Sequence, residues 1–157
     1  MEVFYQQMLY FIRKHNFLKE MILFINHYFP YITFGLYPCI IIYLSYIHSS
    51  LLLDSIIRPS IAFILVTVFR KIVNRPRPYE SISIEPLIRH KLGQSFPSRH
   101  SVSAFIIALV SFYVNVYLGI FACVIAVCIS IGRILAGVHY ISDVLTAILI
   151  AFIIYLI

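Results

Sequence analysis

Three stretches of this chain contain no aspartate, glutamate, lysine or arginine: Met21 to Leu53, Ser101 to Gly132 and Val144 to Ile157. About 20 consecutive apolar residues, wound as a helix, cross the ~30 Å hydrocarbon core of a bilayer. Only 12 Lys+Arg and 6 Asp+Glu are spread over 157 residues, too few to solvate a soluble domain's surface. The chain is therefore read as an all-α integral membrane helical bundle, a single domain over residues 1–157. No nucleic-acid partner is expected.

The first residues depart from this pattern. Arg13, Lys14, Lys19 and Glu20 interrupt apolar residues (Phe4, Met8, Phe11, Ile12, Leu18, Met21, Ile22 and Ile25) that recur at helical spacing. Residues 1–28 are expected to form an amphipathic interfacial helix, broken near Asn16, ahead of a core over residues 29–157. A first span that starts late is the alternative. A cleavable signal peptide is not expected, because Glu2 and the interrupting charges replace its basic start and single apolar block. Cys39, Cys123 and Cys128 sit in apolar runs with no zinc-type spacing and read as buried thiols.

About five spans follow. Span one covers Pro30 to His48 and span two Leu51 to Arg70, with Asp54 and Arg58 as an i,i+4 pair and Pro59 as a tolerated kink. Residues 71–97 form the one long polar loop, punctuated by Pro76, Pro78, Pro86 and Gly93. From Pro97 to Gly137 a single helix would run about 60 Å, twice the bilayer core. The chain must fold back near Asn115 and Gly119, which makes span three about 98–114 and span four about 117–136. Span five runs from Tyr140 to Ile157.

This topology gathers the polar residues. The end of span two, the start of span three, the end of span four and the start of span five share one membrane face. They carry Arg70, Lys71, Arg75 and Arg77; Ser98, Arg99 and His100; Arg133; and His139 with Asp143. Of the 12 basic residues, 11 fall on that face and Arg58 on the other. Taken singly, Arg133 could snorkel, Ser98 could cap a helix, and His139 with Asp143 could be a surface pair. Together they describe a dianion site. Guanidinium forks match phosphate oxygens, a helix N-terminus adds donors, and two histidines supply a nucleophile and a proton donor.

The arrangement resembles the type 2 phosphatidic acid phosphatase superfamily, which includes the vanadium haloperoxidases. That family's pattern is Lys, six residues, Arg-Pro; then Pro-Ser-Gly-His; then Ser-Arg, five residues, His, three residues, Asp. Here the parts read RKIVNRPRP from Arg70, PSRH from Pro97 and GRILAGVHYISD from Gly132. Three positions depart: Arg70 stands for Lys (with Lys71 a possible substitute), Arg99 for Gly, and Gly132 for Ser. The resemblance implies that Arg70, Arg77, Ser98 and Arg133 hold phosphate, with Arg99 helping. It implies that His139 attacks phosphorus, Asp143 orients it, and His100 protonates the leaving oxygen and then activates water. No metal or other cofactor is implied. The implied activity is hydrolysis of a membrane lipid phosphate or pyrophosphate through a phosphohistidine. A polyprenyl pyrophosphate such as the undecaprenyl carrier is favoured over phosphatidylglycerol phosphate or phosphatidate, because the chain is minimal and has no soluble lid. A haloperoxidase and an anion or lipid transporter are more remote readings. The expected location is the cell membrane. Counting positive charges puts the basic face in the cytoplasm, whereas the resemblance favours the extracytoplasmic face, which is the expectation adopted. The oligomeric state stays open.

Overall fold

The computed structural model describes residues 2–157, which form α-helices joined by turns and one long loop. The helices are α1 (Glu2–Lys14), α2 (Asn16–Tyr46), α3 (Leu52–Val73), α4 (Pro78–Ser81), α5 (Arg99–Ser111), α6 (Val116–Leu135) and α7 (Ile141–Leu156). By length and composition α2, α3 and α6 can cross a membrane; α5 and α7, with 13 and 16 residues, are shorter.

α5 is the centre of the bundle. Every residue from Ala104 to Ser111 is buried, sheathed by α6, α7, α3 and α2. A helix that is apolar all round belongs in such a core. Its thirteen residues span only about 20 Å, and its neighbours cover it on all sides. The outer helices instead turn Phe63, Ile64, Phe121, Val124, Leu145 and Leu149 outward, each about half exposed or more. Exposed apolar area of this extent fits a lipid-facing surface rather than a wet one.

The N-terminal region differs from its expected boundaries. The chain does break near Asn16, at His15, whose backbone is extended. α2 then continues without interruption across residues 28 and 29 to Tyr46, so the charged segment around Lys19 and Glu20 is the first part of the long helix. Pro30 and Pro38 lie inside it. Each proline lacks an N–H and frees the carbonyl four residues earlier. A free carbonyl in a membrane bundle needs a new partner. For Pro30 that carbonyl belongs to Asn26, and Arg133 Nη2 approaches it at 3.5 Å. For Pro59 in α3 it belongs to Ser55, which accepts from the Tyr37 hydroxyl at 3.1 Å. The stripe of α1 that faces the protein is Tyr5, Leu9 and Ile12, whereas Phe4 and Phe11 point outward. The shift from the expected stripe follows from Tyr5, whose hydroxyl donates inward to the His139 carbonyl at 3.1 Å.

The hairpin between α5 and α6 forms where the length of the run requires one. Asn115 caps α6, its Oδ1 accepting from the Leu118 N–H at 2.8 Å. Gly119 is needed because a Cβ there would run into the Phe112 ring. At the same end of the bundle Arg58 pairs with Asp54 at 3.7 Å and donates to the Tyr113 hydroxyl at 2.8 Å, closing α3 against the hairpin. Gly119→Ala should destabilise the detergent-solubilised protein by about 1–3 kcal/mol through overpacking. Adding Phe112→Ala to that variant should recover part of the loss. A thermal midpoint unchanged by the single substitution would show that the ring is free to move.

Candidate active site

Each sequence motif contributes at the end of the bundle opposite the hairpin. The last turn of α3 carries Arg70 and Lys71, and Asn74 terminates the helix in the left-handed conformation (φ 40°). Arg70 is buried and donates from Nη1 to the Pro97 carbonyl at 3.0 Å. Arg77 begins the short α4. Its Nε donates to the Lys91 carbonyl at 3.1 Å and its Nη1 to the Val138 carbonyl at 3.0 Å, so one guanidinium joins the loop to the α6–α7 turn. The Glu80 carboxylate folds the loop beneath it, accepting from the N–H groups of Arg77 at 3.1 Å and Gly93 at 2.8 Å.

His139 and Asp143 meet, but not along one helical face. α6 ends at Leu135, Gly137 turns the chain at φ 73°, and α7 starts only at Ile141. His139 therefore lies in the turn, outside the helix. Asp143 is the third residue of α7 and reaches back, as carboxylates at that position do to satisfy free helix-start N–H groups. Its Oδ2 accepts from the Tyr140 N–H at 2.9 Å and from the Ser95 hydroxyl, and lies 3.4 Å from His139 Nδ1. Its Oδ1 pairs with Arg75 Nη1 at 2.8 Å. With Nδ1 engaged, the His139 Nε2 is left as the reactive lone pair. Burial, with help from Arg77 and Arg70 and against Asp143, pushes His139 down to about 4. The ring is thus neutral, the form a nucleophile needs.

His139 opens onto a cavity of about 290 Å³ whose walls include Arg70, Arg77, Arg99 and His100. The Nε donors of Arg70, Arg99 and Arg133 are buried with no acceptor among the described residues. An unmet buried donor costs about 1–3 kcal/mol, which an anion's oxygens would recover. A second, apolar groove of about 950 Å³ runs along α2 past Met21, Phe24 and Phe34 and reaches His100 and Arg133 at its head. Arg133 thus borders the groove rather than the cavity wall. Ser98 caps α5 and is fully buried, its Oγ accepting from Ser101 at 3.0 Å in a hydroxyl chain that Ser130 extends into α6. It is not among the cavity's lining residues. Lys71 is exposed and apart from the cavity, which leaves the cationic role at this end of α3 to Arg70.

The structure also explains two departures from the family pattern. At Gly132 a Cβ would meet the Asn26 amide nitrogen at 3.0 Å, because α2 crosses α6 there and Asn26 donates to the Gly132 carbonyl at 2.9 Å. A side chain in that place would press on α2. Arg99 packs its guanidinium 5.3 Å from the Phe63 ring centre while facing the cavity.

Several contributors have no role that the sequence alone assigns. Arg75, Ser95 and Tyr5 hold the His139–Asp143 pair, and Asn26 and His90 hold Arg133. Asn26 carries a signal, as the one asparagine in the charge-free run from Met21 to Leu53. Arg75 is one basic residue among several on its face, and Ser95 is an ordinary residue of a polar loop. The depressed titration of His139 has a direct check. In ¹⁵N-histidine NMR of phosphate-free protein in detergent, assigned with His139→Gln, its signal should stay neutral through about pH 5, as burial of the ring requires. Protonation with a midpoint near the ordinary histidine value of about 6.5 would contradict the effect of burial.

Comparison with known proteins adds the lineage. The chain is 33% identical over 89 residues to the bacitracin transport permease protein BcrC of Bacillus licheniformis, covering 54% of this chain and 44% of that protein. It is 33% identical over 79 residues to the undecaprenyl-diphosphatase BcrC of Bacillus subtilis, covering 50% and 41%. The aligned segments thus span less than half the length of these curated relatives. Aquifex aeolicus LpxE superimposes at a TM-score of 0.77 and 25% identity over 98% of this chain and 90% of its own. The first transmembrane PAP2-type phosphatidylglycerolphosphate phosphatase from Bacillus subtilis matches at 0.59 and 20% identity, over 97% and 90%, a likeness of fold. The PAP2 superfamily model matches residues 40–157. That segment holds every arginine and histidine of the cavity wall, and the chain belongs to the PAP2 superfamily.

Proposed function

We propose that the protein is a membrane lipid phosphatase that works without a metal ion, with a polyprenyl pyrophosphate as the favoured substrate. The observation that carries this is the His139–Asp143 pair facing a cavity walled by arginines, among them Arg70 and Arg99, whose Nε donors lack acceptors. Buried arginine charge fixed at the cavity wall can supply the stabilisation that phosphoryl transfer needs. The apolar groove along α2 suits the hydrocarbon part of the substrate. The undecaprenyl-diphosphatase named among the relatives supports the pyrophosphate lean.

The reaction runs in two steps. His139 Nε2 attacks the terminal phosphorus while Asp143 holds Nδ1. The bond from phosphorus to the bridging oxygen breaks, and its electron pair leaves with that oxygen, which takes a proton from His100. Arg70, Arg77 and Arg99 hold the transferred oxygens from the cavity wall, and Arg133 approaches from the groove side. Ser98 acts by fixing the start of α5. Water, deprotonated by His100, then displaces His139 from phosphorus and releases inorganic phosphate. In this reading α5 and α7 cross the bilayer with α2, α3 and α6, for five spans, and the segment around α1 lies in the interface. We place the site on the extracytoplasmic face of the cell membrane, the face that the family resemblance favours over the count of positive charges.

Four outcomes test the assignment. A substrate panel should rank polyprenyl pyrophosphate above phosphatidylglycerol phosphate and phosphatidate; the reverse ranking would overturn the lean. Arg133→Ala should lose about 10²–10³ in rate, whereas Arg89→Ala, at an exposed loop position, should change it little. His139→Ala should be inactive on every substrate. His100→Ala should lose more on a lipid monophosphate, whose alkoxide needs a proton, than on p-nitrophenyl phosphate, and should accumulate acid-labile phosphohistidine. Equal losses for both histidine variants on both substrates, without labelled enzyme, would mean the roles are wrong. For orientation, a cysteine at position 89 in a Cys-free variant should react with an impermeant reagent in intact cells.

A further inference from the structure

The long loop delivers one histidine that the mechanism above does not use. His90 borders both the cationic cavity and the apolar groove, which of the imidazoles only His100 also does. Its ring centre is 6.3 Å from that of His100. Its Nε2 lies 3.0 Å from Arg133 Nη1. A guanidinium can only donate, so Nε2 accepts and the ring proton resides on Nδ1. The ring makes no other hydrogen bond among the described residues, so the Nδ1–H is a donor without an acceptor.

The order of groups from cavity to groove gives this donor a place. In the mechanism proposed above, the transferred phosphoryl lies against His139 and the leaving oxygen against His100. The next atoms of the substrate, on the way to the hydrocarbon in the groove, pass His90 and Arg133. In a lipid monophosphate those atoms are carbon. In a lipid pyrophosphate they are a second phosphate, and a guanidinium beside an N–H donor suits a phosphate.

We propose that His90 is a specificity-determining residue, which donates its Nδ1–H to the phosphate that stays with the lipid and so favours pyrophosphates over monophosphates. The inference rests on the phosphatase reading and names the substrate class of the same site. Burial and Arg133 hold the free ring well below its ordinary range, at about 4, consistent with a neutral donor.

The test uses farnesyl pyrophosphate and farnesyl monophosphate with the full chain in detergent, and reads the ratio of their kcat/KM values. His90→Phe, which keeps bulk but removes the donor, should lower the ratio about tenfold or more, as expected for losing a hydrogen bond to a charged group. His90→Gln can keep the contact to Arg133 through its Oε1 but places no donor at Nδ1, and should lower the ratio similarly. His90→Asn, whose amide mimics Nδ1–H, should retain more of the ratio than either. Equal losses on the two substrates, a ratio in the Phe and Gln variants close to that of the parent, or an Asn variant no better than Phe would each overturn the proposal. A parent protein that hydrolyses only the monophosphate would overturn it while leaving the phosphatase reading intact. A parent inactive on both would fail the phosphatase reading itself.

Discussion

Asp143 is fully buried, and several segments of the chain converge on it. Its side chain accepts from Tyr140 at the start of α7 and from Ser95 in the long loop, pairs with Arg75 after α3, and faces His139 in the α6–α7 turn. Its backbone carbonyl accepts from the Ser98 N–H at 3.1 Å, which fixes where α5 begins. A buried carboxylate is costly unless every lone pair is used. Here the groups that use them are the ones that aim His139 at the cavity. Removing any one would leave the buried carboxylate short of a partner. The contacts that satisfy the buried carboxylate are therefore the ones that position His139.

The opposite imbalance holds on the cavity side. Arg70 and Arg77 on the cavity wall, and Arg133 at the adjoining groove, are buried; their partners are backbone carbonyls and, for Arg133, the neutral His90 ring, and the Nε donors of Arg70 and Arg133 have no acceptor among the described residues. Carbonyls orient a guanidinium without neutralising it. The excess positive charge is thus held in place and left uncompensated by protein anions. Proline contributes to this arrangement, since Pro30 frees the Asn26 carbonyl that Arg133 approaches.

α1 gives the turn a further support. Tyr5 is pushed up to about 12, chiefly by burial, and so stays a donor to the His139 carbonyl. Leu9 lies against Gly137, where a Cβ would come within 3.2 Å of its side chain. A helix with aromatic Phe4, Tyr10 and Phe11 on its outer side thus braces the turn that carries His139.

Much of this is legible in residue order. Charge-free runs require membrane helices, run length requires a hairpin near Asn115, and the spacing from Arg133 to His139 to Asp143 marks the chemistry before any fold is known. These are local or one-dimensional constraints: hydrocarbon thickness, helix rise and motif spacing act within a segment. The boundary expected at residue 28 fails because charged Lys19 and Glu20 look like an interface segment, whereas packing on α6 keeps α2 continuous. Ser98 reads as a ligand from its motif, yet its hydroxyl lies in the buried chain with Ser101 and Ser130. The roles of Arg75, Ser95, His90, Tyr5 and Asn26 cannot be read from order, because they depend on what lies across a gap of many residues. The sequence by itself determined a membrane bundle and the residue types of an anion site at one end. Only tertiary structure decided which donors meet which acceptors, because a buried hydrogen bond is set by distances between segments that the chain order leaves free.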